Sequence, residues 1–156
     1  MKLINRDRIT EVVQKINAAG KTIVFTNGCF DIIHAGHVRY LAEARKLGDC
    51  LIVGLNSDRS VQELKGPTRP VNQQDDRAEV MGALAAVDYV IVFDERTAES
   101  LIGEVKPDIY VKGGDYCIEN IPEAKIVAAN GGKTVLIPEV PGRSSSNIIK
   151  KISEKI

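Results

Sequence analysis

Apolar residues follow two spacings that alternate along the chain. Short runs rich in Val, Ile, Leu and Phe predict buried β-strands, because they are too uniformly apolar for a strand with one face in water. These runs lie at 22–25, 51–55, 87–93, 109–111 and 134–137. Between them, apolar residues return every three or four positions, as on one face of a helix. The helices are predicted at about 6–19, 36–47, 57–64, 73–84, 98–105, 122–130 and 144–152.

This alternation predicts an α/β fold, namely a Rossmann-like, doubly wound, five-stranded parallel sheet with helices on both faces. No internal repeat or linker interrupts the pattern, so one domain is expected over residues 1–156, with a helix in residues 1–20 packed on it. Sheets of this kind bind ligands beyond the carboxyl ends of their strands, where the strand order reverses. A ligand site is therefore expected at that edge.

Composition narrows the class of protein. Of the 156 residues, 44% are apolar and 27% are charged, which is ordinary for a soluble domain. Lys plus Arg equals Asp plus Glu, so the formal net charge is zero and a general attraction to nucleic acid or to an anionic membrane is not expected. No apolar run approaches a membrane span, and the first residues do not resemble a signal peptide. We expect a cytoplasmic protein.

The three cysteines, Cys29, Cys50 and Cys117, are widely spaced and form no Cys-x-x-Cys pair. With only two histidines in the chain, no metal site built from protein ligands is expected. Cys50 opens an apolar run and is interpreted as a core residue. Cys29 could act as a nucleophile, but the sequence favours a role as a small residue.

The candidate chemistry centres on residues 26–37, between the first strand and the following helix. Small residues in a strand–turn–helix connection allow backbone N–H groups to face an anion. His34 and His37 are three residues apart at the predicted helix start, so their imidazoles can point to the same side and donate to phosphate oxygens. The loops at 112–116 and 142–147 follow the fourth and fifth strands and are expected to converge on the same crevice.

The motif His-x-Gly-His at residues 34–37, preceded by Phe30-Asp31, resembles the signature of the nucleotidylyltransferase superfamily. The resemblance extends over most of the chain. Within the superfamily, the sequence resembles the bacterial D-glycero-D-manno-heptose 1-phosphate adenylyltransferase (ADP-heptose synthase) branch. The stretches similar to that branch are 26–31, 65–71, 111–116 and 142–152.

The resemblance implies transfer of AMP from ATP to D-glycero-D-manno-heptose 1-phosphate, giving ADP-heptose and pyrophosphate for lipopolysaccharide core synthesis. It implies Mg²⁺ bound to the phosphates and a homodimer. The relatives also exist as fusions with a kinase, for which 156 residues leave no room. The resemblance therefore implies a stand-alone transferase paired with a separate heptose 7-phosphate kinase.

The resemblance also implies roles for individual residues. Groups expected to act on the reacting phosphates are His34, His37, Lys65 and Arg77. Groups expected to bind the nucleotide are Thr26, Asn27, Gly28, Cys29, Phe30, Asp31, Gly36, Lys112, Gly114, Asp115, Arg143, Ser144, Ser145 and Ser146. For Asp31 three roles stay open: to orient a neighbouring loop N–H, to lie near a metal ion, or to cap the histidine-bearing helix. Lys65, Arg69 and Arg77 could equally be solvated surface charges.

Two departures separate this chain from cytidylyltransferases that act on glycerol 3-phosphate. Glu139 stands where those relatives have an Arg, and Arg143 follows the glycine of the second motif. The sequence Gly114-Asp115-Tyr116 stands where they have an acidic pair and a Trp. Both departures favour the heptose branch. The alternatives are a cytidylyltransferase for glycerol 3-phosphate or a similar small phosphorylated alcohol, and a nucleotide-binding module without catalysis.

Overall fold

The computed structural model describes residues 2–156 and contains five strands and seven α-helices. The strands are β1 (Ile23–Gly28), β2 (Cys50–Asn56), β3 (Tyr89–Phe93), β4 (Ile109–Gly113) and β5 (Lys133–Ile137). The helices are α1 (Ile9–Ala18), α2 (Ala35–Arg45), α3 (Asp58–Lys65), α4 (Gln74–Gly82), α5 (Glu99–Val105), α6 (Pro122–Ala129) and α7 (Ser145–Lys155). Single 3₁₀ turns lie at Arg6–Arg8 and Ile118–Asn120.

All five strands are parallel and lie in the order β3-β2-β1-β4-β5. In the register of the sheet, Val24 of β1 lies opposite Leu51 of β2 and Ile109 of β4. The chain moves outward from β1 to β3 in one direction and from β4 to β5 in the other. The strand order therefore reverses between β1 and β4, where a crevice is expected. The predicted doubly wound fold is confirmed.

Two apolar cores lie on the two faces of the sheet. Neighbouring residues of β1 belong to different cores, since Val24 and Phe25 point to opposite faces as strand geometry requires. The core that contains Phe25 also includes Ile9, Val13 and Ile16, so α1 packs against the sheet. The core that contains Val24 lies under α2 and α4. No helix in residues 2–156 has the length and apolar character to span a membrane.

The main boundary difference concerns the first strand. Apolarity predicts an end at residue 25, but pairing with β2 continues until Gly28 lies opposite Leu55. Thr26 is therefore a fully buried strand residue, whose hydroxyl bonds to the carbonyl of Val111 at 2.9 Å and to the hydroxyl of Tyr40 at 2.7 Å. Its polar side chain hides it from a hydrophobicity pattern, although its hydroxyl is satisfied inside the protein.

Candidate active site

A cleft of about 450 Å³ opens at the carboxyl edge of the sheet. The loops after β1, β4 and β5 meet there, as expected, and Lys65 at the end of α3 joins them. The predicted residues that line the cleft are Asn27, Gly28, Cys29, Phe30, Asp31, His34, Gly36, His37, Lys65, Lys112, Arg143, Ser144, Ser145 and Ser146.

Some predicted residues lie elsewhere, and some lining residues were not predicted. The expected residues that do not line the cleft are Thr26, Arg77, Gly114 and Asp115. The lining residues missing from the predicted set are Tyr40, Gly113, Tyr116, Glu139 and Val140. Gly113 and Tyr116 lie in the loop that was expected to contribute. Tyr40 follows His37 by three positions on α2, and this helical spacing was the available signal for it.

The two histidines are held by hydrogen bonds to backbone N–H groups. Nδ1 of His34 accepts from the N–H of Gly36 at 3.1 Å, which makes His34 the N-cap of α2. Nδ1 of His37 accepts from the N–H of His34 at 3.4 Å, completing a reciprocal capping box. An Nδ1 that accepts carries no proton, so each neutral ring holds its proton on Nε2. Each imidazole therefore has one remaining donor, Nε2–H, for a ligand in the cleft.

Both imidazoles are kept neutral by their surroundings. Burial, the charge of His34 and the charge of Lys65 together lower the pKa of His37 to about 4. Burial and the charge of Arg143 lower the pKa of His34 below its ordinary value. The two rings stack with 3.8 Å between their centroids, and the edge of Phe30 packs on His37. The site therefore offers two uncharged hydrogen-bond donors at neutral pH.

Gly36 allows the close approach of His34 to the helix that it caps. A β-carbon at this position would lie 2.8 Å from Cε1 of His34 and 3.3 Å from Cβ of Arg143. Both distances are shorter than ordinary carbon contacts, so the imidazole of His34 would have to shift and the loop before α7 would have to move slightly. The third position of the His-x-Gly-His motif therefore requires a residue without a β-carbon in this fold.

The N-termini of α2 and α7 lie side by side at the cleft. The hydroxyl of Ser145 donates to the carbonyl of Ile32 at 2.9 Å and accepts from the N–H of Ile32 at 3.3 Å. Ser144 caps α7 by accepting from the N–H of Asn147 at 3.0 Å, as expected for a serine run at a helix start. Helix N-termini attract anions through their N–H groups and dipoles, and here two of them face one cleft.

Asp31 orients a neighbouring loop and is itself almost fully buried. Its carboxylate accepts from the N–H groups of Val71 and Asn72 and from Nε of Arg69, all at 2.9 Å. Burial opposes ionisation, but these hydrogen bonds outweigh it and hold the pKa of Asp31 below its ordinary value. Of the three roles that the sequence left open, the first agrees with these contacts. The cap of α2 is His34 instead.

The structure corrects the expectation for Arg77. Its side chain is 2% exposed and lies beneath the cleft. Its guanidinium donates to the carbonyls of Asn72 at 2.9 Å, Cys29 at 2.7 Å and Asn56 at 2.8 Å, and to the carboxylate of Asp58 at 2.9 Å. Four of its five N–H donors are used in this way, so Arg77 holds the loop after β1 from beneath and does not line the cleft.

The remaining cations of the predicted set do line the cleft. Lys65, Lys112 and Arg143 approach it from the ends of α3, β4 and the loop before α7. None of the three has an ion-pair partner among residues 2–156. These side chains are therefore available to an anionic ligand.

Cys29 lines the cleft, but its environment does not activate it. Burial raises the pKa of its thiol, although the charges of Lys65, Arg77 and Arg69 oppose the shift. A thiol with a raised pKa is a poor nucleophile at neutral pH. Among residues 2–156, no group of three or more His, Cys, Asp and Glu side chains is placed to hold a metal ion.

Comparisons with known proteins place the chain in one family. The family model described as cytidylyltransferase-like matches residues 25–151. The chain is 51% identical over 154 residues to the bifunctional protein HldE of Trichlorobacter lovleyi, covering 99% of this chain and 31% of that protein. It is also 51% identical over 151 residues to the bifunctional protein HldE of Wolinella succinogenes, again covering 31% of the relative. The chain therefore spans about a third of the length of the curated relatives it matches.

Solved structures agree with this assignment. A lipopolysaccharide core biosynthesis protein from Thermoplasma volcanium is 30% identical, with a TM-score of 0.64 over 78% of this chain and 98% of that chain. Pantoate-beta-alanine ligase from Francisella tularensis is 13% identical with a TM-score of 0.61, covers 99% of this chain and 79% of that chain, and supports the fold alone. The resemblance stated from the motifs is confirmed: this chain belongs to the cytidylyltransferase-like family and is a nucleotidyltransferase.

Proposed function

We propose that the protein transfers AMP from ATP to D-glycero-D-manno-heptose 1-phosphate and releases pyrophosphate. The observation that carries the proposal is the pair of neutral imidazoles at the N-terminus of α2, with Nε2–H of each as a free donor, in a cleft that the N-terminus of α7 also lines. This arrangement suits a polyphosphate chain, which needs many donors in a small volume. The similarity to HldE proteins over 99% of the chain supports the choice of branch.

In the proposed reaction, an oxygen of the sugar phosphate attacks the α-phosphorus of ATP. A new P–O bond forms to the sugar phosphate, and the bond from the α-phosphorus to the bridging oxygen breaks, so that pyrophosphate leaves with the electron pair. The attacking group is already an anion, so no general base is needed. Catalysis then depends on positioning and on donors aimed at oxygens that gain charge in the transition state.

Individual residues take distinct parts in this mechanism. His34 and His37 donate through Nε2–H to the α- and β-phosphates. The first turn of α7, at Ser144–Ser146, holds the departing pyrophosphate. Lys65 balances the charge of the acceptor phosphate, and its place in the lining of the cleft supports this role. Arg77 acts as a positioning residue through the carbonyl of Cys29.

Mg²⁺ fits this site as an ion carried by the phosphates. The two carboxylates that line the cleft are Asp31, whose oxygens already accept from N–H donors, and Glu139. An ion held mostly by phosphate oxygens and water is the usual form for Mg²⁺ at nucleotides. When bound, the ion would neutralise charge on the phosphates.

The assembly is a further part of the proposal. Relatives named as bifunctional proteins are about three times as long as this chain, which supports cooperation with the heptose 7-phosphate kinase that the resemblance implies. The family resemblance supports a homodimer, which light scattering of the purified protein would test.

Pyrophosphate release tests the reaction itself. The protein would be incubated with ATP or CTP together with heptose 1-phosphate or glycerol 3-phosphate, and pyrophosphate would be measured over time. Release with ATP and heptose 1-phosphate is expected. Release only with CTP and glycerol 3-phosphate would instead identify a cytidylyltransferase, and nucleotide binding without release under any combination would identify a binding module.

A further inference from the structure

Glu139 is a carboxylate in a cleft built for anions. It follows β5 and lines the cleft beside Tyr116. Both side chains lie over Gly114, whose φ is +109°: a β-carbon there would be 3.5 Å from Oε1 of Glu139 and 3.0 Å from Cε2 of Tyr116. The glycine therefore leaves room for an aromatic ring and a carboxylate on one side of the cleft.

The carboxylate of Glu139 has no partner within the part of the chain that the structure describes. No side chain or N–H in residues 2–156 donates to it, and no Lys, Arg or His nitrogen lies within 4.0 Å. The nearby cation Lys112 lies over the ring of Tyr116 instead, with Nζ 5.4 Å from the centroid. Asp31, the other acidic side chain in the cleft, is fully engaged.

An ionised carboxylate can only accept hydrogen bonds, and phosphate oxygens at neutral pH offer few protons to donate. Glu139 would therefore repel a phosphate placed against it. Hydroxyl groups are suitable partners, because two hydroxyls on adjacent ring carbons can donate to the two carboxylate oxygens together. The ring of Tyr116 adds a flat apolar surface next to those oxygens, as a base or a sugar ring requires.

We propose that Glu139 is a specificity-determining residue that accepts hydrogen bonds from a pair of hydroxyl groups on a sugar ring of a bound substrate. This inference rests on the proposed function for its choice of substrates. Two rings in that reaction carry such hydroxyls: the ribose of the nucleotide and the sugar of the acceptor. The chemistry is the same for both, and separate binding measurements distinguish them.

The experiment compares the wild-type protein with Glu139→Ala and Glu139→Gln by titration calorimetry, which requires no turnover. The nucleotide arm uses ATP, 2′-deoxyATP and 3′-deoxyATP. The acceptor arm titrates heptose 1-phosphate into protein saturated with α,β-methylene ATP. Glu119→Gln is the matched control, because it removes an exposed charge from the β4–α6 connection, outside the cleft. Unchanged melting temperatures would show that each variant is folded.

If the ribose is the partner, Glu139→Ala weakens ATP binding by about 10- to 100-fold, the range for hydrogen bonds to a charged group. The wild-type protein then discriminates against at least one deoxy nucleotide, and the variant does not. If the acceptor sugar is the partner, ATP affinity is unchanged and heptose 1-phosphate binds about 10- to 100-fold more weakly. Glu139→Gln, which keeps an acceptor oxygen without the charge, should lose less in either case.

Three results would overturn the proposal. The first is unchanged or tighter binding of both substrates to Glu139→Ala. The second is weaker ATP binding in that variant while the wild-type protein binds both deoxy nucleotides as well as ATP, because Glu139 would then hold another group. The third concerns a wild-type protein that binds no heptose 1-phosphate. The proposed function then fails, and unchanged nucleotide binding to Glu139→Ala separately overturns the role of Glu139.

Discussion

The imidazoles of His34 and His37 stack with 3.8 Å between their centroids, and the backbone N–H of His34 donates to Nδ1 of His37. Two cationic rings at this separation would repel each other by about 4 kcal/mol at an effective dielectric constant of about 20. The pair is therefore built to be neutral. Its donors can bind phosphate oxygens without requiring a proton from the solvent.

Substitution of either histidine should reduce turnover. We expect His34→Ala and His37→Ala each to lower kcat by about 100- to 1000-fold, as for removal of one donor to a developing oxyanion. Pyrophosphate release under saturating substrates measures the effect. Near-normal kcat in both variants would contradict the assignment.

His34 also caps α2, and a second variant separates the two roles. His34→Asn keeps an N-cap acceptor, whereas His34→Ala removes it at a cost of about 1 kcal/mol in the free energy of unfolding. We expect His34→Asn to unfold at the wild-type denaturant concentration while its kcat remains low. Recovery of kcat in His34→Asn would mean that the cap, and not Nε2–H, is what turnover needs.

The lowered pKa of His37 makes stability depend on pH. The folded imidazole has a pKa of about 4, below the ordinary value of 6.5, so the unfolded chain binds the proton more readily between these values. The free energy of unfolding therefore has its full value above pH 6.5 and decreases as the pH falls from 6.5 towards 4. Because the ring is partly exposed, we expect a loss of only about 1 kcal/mol between pH 7 and 5.

Urea unfolding at several pH values measures this dependence in the wild-type protein and in His37→Gln. The variant has no group that titrates at this position, so its stability should fall less over the same pH range. If the free energy of unfolding changed equally with pH in the two proteins, groups other than His37 would cause the pH dependence.

Gly36→Ala should lower turnover by displacing the imidazole of His34. The added β-carbon would lie 2.8 Å from Cε1 of His34, so the imidazole must shift. A displacement of about 1 Å at reacting groups can lower turnover by about 100-fold. Gly103→Ala is the control, because a β-carbon at Gly103, in α5, meets no atom within 4 Å. Equal kcat for Gly36→Ala and the wild-type protein would contradict the steric argument.

Substitution of Arg77 should mainly reduce stability, whereas substitution of Lys65 should mainly reduce activity. Arg77→Lys cannot reproduce the fork of four hydrogen bonds and leaves buried carbonyls without donors, so we expect a loss of about 3 kcal/mol in the free energy of unfolding. Lys65→Ala should leave unfolding nearly unchanged and lower kcat/KM. Denaturant titration and steady-state kinetics of both variants provide the test. If Arg77→Lys were as stable as the wild-type protein but inactive, Arg77 would instead act on the phosphates.

Much of the fold was predictable because the strand runs are short and continuously apolar, and parallel sheets bury such runs on both faces. The convergence of three loops followed from the same topology. Arg77 could not be interpreted correctly, since its sequence context gives charge and spacing but not burial. In the structure its guanidinium satisfies carbonyls of three separate segments, and that geometry depends on tertiary packing.

The role of Asp31 was likewise open because its partners are distant along the chain. Val71 and Asn72 lie about forty positions later, and their N–H groups reach the carboxylate only after their loop folds back onto the segment that follows β1. Glu139 was visible in the sequence as a departure from related enzymes. Its lack of a partner became visible only in three dimensions.

Helix α7 supplies one side of the active site while burying none of its own residues. Its attachment near the cleft includes the hydroxyl of Ser145, which bonds to the backbone of Ile32. A ligand that bonds to the N-termini of both α2 and α7 adds its own binding free energy to this attachment. The substrate is then a structural component as well as a reactant: it works as a removable crosslink between the last helix and the rest of the chain.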